Sequence, residues 1–73
     1  MSTTMKSIGD ERLAANLTRL REQRGLSRAE LEAMSGVSDI SIYVAETRRR
    51  NLQVNTIRKL AEALGVSMGE LLD

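Results

Sequence analysis

An all-α bundle of five short helices is the architecture this sequence predicts, and three observations carry it. Apolar residues return at intervals of three and four along most of the chain, which is the spacing of one helical face. Hydroxyl residues followed three positions later by glutamate mark helix starts, and glycines mark the stops. No stretch alternates apolar and polar residues as a half-buried strand does, and no heptad run, internal repeat or low-complexity segment competes.

Taken in order, residues 1–6 are small, polar and unpatterned and read as a flexible tail, leaving residues 7–73 as one domain. Leu13, Leu17 and Leu20 then define a first helix over about 10–24, with acids at its start, arginines at its end and Gly25 as its stop. Ser27 with Glu30 is a capping box: the serine oxygen and the glutamate carboxylate each accept from an amide that the helix itself leaves unpaired. It opens a second helix over about 28–35, with Leu31 and Met34 inward. Gly36 permits a sharp turn, Ser38 is a plain N-cap, and a third helix runs over about 39–47 with Ile42 and Ala45 inward. The turn between the second and third helices is about three residues long. After a polar loop at 48–53, Val54, Ile57, Leu60, Ala61 and Leu64 give the fourth helix, ended by Gly65. Ser67 with Glu70 boxes a short fifth one, Met68 to Leu72.

Composition narrows the chemistry. At 73 residues the chain has room for only a small core, so pairing with a second copy is expected. There is no cysteine and no histidine, which removes disulfides, thiol chemistry, the usual zinc donors and any imidazole acid or base. That composition fits a reducing, cytoplasmic setting. The first residues lack an apolar signal core, and nothing approaches the roughly 20 apolar residues of a membrane helix, so no membrane association is expected. Net charge is only +1, yet Arg48, Arg49 and Arg50 are consecutive, so the positive charge is local. Tyr43 is the one aromatic residue, which leaves nothing to build a stacking platform for unpaired bases. No general base, metal site or phosphate-cradling loop stands out; neither an enzyme nor a cofactor is expected.

The run RLREQRGLSRAELEAMSGVSDISIYVAE, followed by TIRKLAEALGVSMGELL, resembles the Xre/Cro and lambda-repressor type helix-turn-helix family over residues 8–73. Leu20, Arg21, Gly25, Leu26, Ser27, Leu31, Gly36, Val37, Ser38, Ile42, Glu46, Leu60, Ala61, Leu64, Gly65 and Val66 carry the likeness. The resemblance implies a lambda repressor-like DNA-binding domain whose third helix enters the major groove of double-stranded DNA, with the amide ends of the second and fourth helices aimed at phosphates. It also implies an ion pair between Arg21 and Glu46, which keeps Glu46 out of the binding surface.

By the same resemblance Asp39, Ile40, Tyr43 and Val44 face the groove, with Ser41 beside them. The chain departs here from the glutamine, asparagine or arginine common in the family. Ile40 and Val44 suit thymine methyls, Asp39 a cytosine amino group, and Tyr43 a phosphate or a base edge. Arg28 matches a position that contacts phosphate, and is expected to pair with Asp39; Ser38 is assigned to phosphate as well. In the loop, Arg48 stands where a glycine is frequent and Leu52 where a proline is. Arg50, Asn51 and Leu52 resemble the controller proteins of restriction-modification systems, small dimeric regulators within the family, which makes Arg50 the candidate reader of a guanine. Arg48, Arg49, Asn51, Asn55 and Thr56 are then assigned to phosphates. With so few direct base bonds, part of the specificity is expected from DNA shape.

Two readings remain open for the apolar residues. Val66, Met68, Leu71 and Leu72 either cover the core or form the face of a homodimer on an inverted-repeat operator, its third helices about 34–36 Å apart. Ile40, Tyr43 and Val44 either meet DNA or bind a protein partner in a module that has lost its DNA role, since fold alone does not decide function. The basic loop separates these, because a purely protein-binding module has no need of it.

Overall fold

In a computed structural model the chain is described over residues 10–47 and 52–73. Five α-helices follow one another: α1 (Asp10–Gln23), α2 (Arg28–Ser35), α3 (Asp39–Thr47), α4 (Val54–Leu64) and α5 (Met68–Leu72). The expected elements are all present, with α1 one residue shorter than expected, a difference within helix-end fraying. The proposed tail at residues 1–6 lies outside the described residues, as do Arg48, Arg49, Arg50 and Asn51.

The start signals act as the sequence implies. The Ser27 amide donates to Glu30 Oε1 at 2.8 Å while the Glu30 amide donates to Ser27 Oγ at 3.0 Å. Ser67 and Glu70 repeat the arrangement at 3.0 and 3.1 Å. Ser38 Oγ accepts from the Ser41 amide at 3.1 Å and donates its own proton to Ser41 Oγ at 2.9 Å. Helix α4 differs, because its N-cap Gln53 supplies no side-chain bond. At Gly36 the backbone takes φ +79, a left-handed conformation that costs a residue with a Cβ about 1–2 kcal/mol, and its amide closes α2 by donating to Glu32 O at 2.8 Å. Gly65 ends α4 in the same conformation, and the following Val66 amide reaches back to Ala61 O at 3.0 Å.

Helix α1 packs on α3 and α5, α2 on α3 and α4, and α4 on α5. The shared interior holds Leu13, Leu17, Leu20, Leu31, Val37, Ile42, Ala45, Ile57, Leu60, Ala61, Leu64 and Leu71. Each fully buried leucine or isoleucine contributes on the order of 1.5–3 kcal/mol. The Asn16 side-chain amide also donates to Leu71 O at 3.0 Å, fastening α5 to the middle of α1.

Two apolar residues expected to face inward do not. Met34 is 55 % exposed. At about 100° per residue the inner stripe of α2 runs through Arg28, Leu31 and Ser35, and Met34 falls on its far flank. Val54 is 61 % exposed: it shares a stripe with Ile57 and Ala61 but opens α4, one turn before the helix reaches the core.

Candidate nucleic-acid interface

The site is built outward from a buried carboxylate. The Glu46 side chain, at the end of α3, is 1 % exposed. Its Oε2 accepts from Arg21 Nε at 2.7 Å, and its Oε1 accepts from Arg21 Nη2 at 3.0 Å and from Arg28 Nε at 2.9 Å. Arg21 spends a further donor on Leu26 O at 2.8 Å, in the turn between α1 and α2. One carboxylate thus ties three helices together. Bonding to Glu46 is the largest of the influences that raise the Arg21 pKa; burial opposes it, and the charges of Glu46 and Glu22 add to it. The expected Arg21–Glu46 pair is present, and Glu46 is too enclosed to touch a ligand.

The second arm of this network corrects an expectation. Arg28 does not form an ion pair with Asp39; it turns back to Glu46, and its guanidinium carbon lies 5.0 Å from the centre of the Tyr43 ring. Asp39 is exposed at the first turn of α3, where water and the helix amides already stabilise its charge. A carboxylate stripped of water attracts a cation more strongly than a solvated one, which decides where Arg28 goes.

Around Arg28 the structure brings together Asp39, Ile40 and Tyr43 as the walls of an open hollow between the starts of α2 and α3. Ile40 is 72 % and Tyr43 45 % exposed, whereas Val44 on the next face is half-buried. Ser38 and Ser41 are exposed at the start of α3 and engaged with each other. On α4, Asn55 is exposed and Thr56 half-buried, and Asn55 Oδ1 accepts from Arg58 Nη1 at 2.6 Å. Sequence reasoning had not placed Arg58 in this group; its position three residues after Asn55 was the available signal. A second cleft along α1 is lined by Glu11, Glu22 and the edge of Glu46 as well as Arg19, an acidic setting that suits a polyanion poorly.

At the other end of the bundle Val66, Met68 and Leu72 are partly buried against the core and keep some surface. Leu71 was expected in the same outward set, but it is 0 % exposed, its side chain enclosed by the single chain. In a five-residue helix lying on α1 and α4, one position must face straight in, and the pattern places Leu71 there.

A recognisable class fits this geometry: two short helices joined by a glycine turn, with the second one's tip exposed. The helix-turn-helix family model matches residues 11–71. The chain is 45 % identical over 60 residues to y4dJ of Sinorhizobium fredii, described as an uncharacterized HTH-type transcriptional regulator, a match spanning 82 % of this chain and 78 % of that protein. It is 35 % identical over 60 residues to the Neisseria hypothetical transcription factor of Neisseria meningitidis, spanning 82 % of this chain and 57 % of that one. Among solved structures, the crystal structure of the hypothetical transcription factor NHTF from Neisseria superposes with a TM-score of 0.80 at 28 % identity, covering 100 % of this chain and 85 % of that one. The chain belongs to the Xre/lambda-repressor-type helix-turn-helix family, a family of DNA-binding transcriptional regulators.

Proposed function

We propose that this chain regulates transcription as a homodimer on an inverted-repeat operator in double-stranded DNA. The observation that carries the reading is the asymmetry of α3: its end is locked to α1 and α2 through Glu46, while its tip, Ile40 and Tyr43, stands exposed beside Arg28. A rigidly held helix with a free tip is what insertion into a groove about one helix wide requires.

On this reading Asp39, Ile40, Tyr43 and Val44 line the base-facing surface, and Ile40 and Val44 seek thymine methyls. Arg28, Ser38, Asn55 and Thr56 sit along the phosphates, where the amides at the start of α4, lacking a side-chain cap, supply further donors. Arg50 reads a guanine, and Arg48, Arg49 and Asn51 grip the backbone. DNA shape supplies the remaining specificity. Val66, Met68 and Leu72 form the two-fold contact. Control of a restriction-modification system is the finer assignment, and it rests on Arg50, Asn51 and Leu52. A methyltransferase and an endonuclease encoded alongside would support it; a phage lysis cassette in their place would point to a repressor.

Duplex binding across a salt series tests the reading: affinity must fall steeply as salt rises. Arg50→Ala is expected to relax discrimination at one operator position at a cost of about 1–3 kcal/mol, and Arg49→Ala to weaken all sequences alike. Equal losses on specific and random duplex in both variants would refute the division of labour. A second reading has one observation in its favour, the 72 % exposure of Ile40: the same tip would bind a partner protein. Binding to duplex that is absent at low salt, or indifferent to salt, would select it.

A further inference from the structure

Tyr43 is expected from the sequence to touch DNA with its hydroxyl, but the structure gives its ring another occupation. The Arg28 guanidinium carbon lies 5.0 Å from the ring centre, inside the roughly 6 Å reach of a cation–π contact. Its Nε is spent on Glu46 Oε1 at 2.9 Å, and Glu46 is itself fixed by two bonds from Arg21. The Arg28 side chain remains 36 % exposed, at the hollow it shares with Asp39 and Ile40.

We propose that Tyr43 is a positioning residue: its ring and the Glu46 carboxylate hold Arg28 in one pose, so that the two terminal guanidinium nitrogens meet a DNA phosphate without rearrangement. This rests on the duplex-binding function proposed above, and it moves Tyr43 out of the base-reading set into support of Arg28. An unrestrained arginine loses rotamer freedom when it grips a phosphate, and one pinned beforehand loses less. Glu46 orders the near side of the guanidinium through one directional bond, and the ring orders its flat face. The guanidinium is thereby restrained from two sides, by a hydrogen bond at Nε and by the ring at 5.0 Å. The contact is with the phosphate backbone, so it is independent of base sequence.

A double-mutant cycle of Arg28→Gln and Tyr43→Leu, with Tyr43→Phe as the conservative variant, tests this on a short mixed-sequence duplex over a salt series. Tyr43→Leu is expected to weaken binding about 2- to 5-fold in the native background and to have no effect once Arg28 is gone. Tyr43→Phe, which keeps the ring, restores the binding that Tyr43→Leu loses. Arg28→Gln lowers the salt slope by about one ion. An equal factor in both backgrounds overturns the proposal, as does a Phe variant no better than the Leu one, since the hydroxyl would then be the contact. If Arg28→Gln fails to fold, the Arg28 Nε–H signal in NMR spectra of the Tyr43 variants decides: slow exchange lost with Leu and kept with Phe supports the pose, and no difference between them overturns it. A native chain that ignores duplex even at low salt sinks the DNA reading and this inference together; salt-dependent binding with an additive cycle sinks this inference alone.

Discussion

The two faces of α3 share nine residues and meet two different environments. On the inner face Ile42 and Ala45 are fully buried and the Glu46 side chain is 1 % exposed; on the outer face Ile40 is 72 % and Tyr43 45 % exposed. From Asp39 to Glu46 is about 10 Å along the axis. Along that length one face holds the fold together while the other faces outward. Anchor and reader thus lie on different faces, and residues of the outer face can change without disturbing the core.

If the contrast is real, substitutions on the inner face must cost stability and those on the outer face must not. The largest effect is expected from Glu46→Ala, which leaves the buried Arg21 guanidinium without its carboxylate and takes one partner from the more exposed Arg28. A loss of about 3–5 kcal/mol follows, enough to unfold much of a domain of this size at ambient temperature, as urea titration followed by circular dichroism would show. The pH behaviour follows from sign. The Arg21 pKa is raised on folding, so its contribution is fully present below the ordinary arginine range and is lost only as pH rises through the raised value. Nothing from this group titrates near neutrality, and melting temperature should show no Arg21-dependent step between mildly acidic and mildly alkaline buffers. Next in size is Ile42→Ala, which opens a cavity where no surface is exposed and should cost about 2–5 kcal/mol. If either variant melts like the native chain, the inner face of α3 is not the anchor.

Most of the scaffold was legible in the sequence because its signals are local. Capping boxes at Ser27 and Ser67 and the glycine stops at Gly36 and Gly65 each act within a few residues, and each marks a helix end that the structure contains. Periodicity was less decisive in short elements. Over the eight residues of α2, three- and four-residue spacing both look satisfied, and only the packing of α3 and α4 settles that Ser35 rather than Met34 turns inward. The hollow at the tip was legible as a set of residues and not as a set of contacts. Arg28 has two carboxylates to choose between, and the choice is decided by their relative solvation, which is a property of the folded chain. The ring contact with Tyr43 joins residues fifteen positions apart on different helices and leaves no local trace.

Ser38 caps the start of α3 and gives an intermediate effect. Its hydroxyl satisfies the Ser41 amide, so Ser38→Ala should destabilise by about 1 kcal/mol. That lowers the melting temperature by several degrees in a domain of this length. A loss as large as that of Ile42→Ala would mean that the tip carries more of the fold than its exposure suggests.

The smallest stability effect and the most discriminating binding effect belong together at Ile40. With 72 % of its surface in water, Ile40→Ser removes little packing, and its melting temperature should stay within the range of an ordinary surface change, about 0.5 kcal/mol. If the side chain meets a thymine methyl, affinity for the operator falls about fivefold, near 1 kcal/mol, while affinity for random duplex, held by phosphates, is unchanged. If the tip instead seats a partner protein, the variant binds both duplexes like the native chain and loses the partner. The same substitution therefore separates the two functions without disturbing the fold that supports either, which follows from the anchor residues Ile42, Ala45 and Glu46 lying on the other face of the helix.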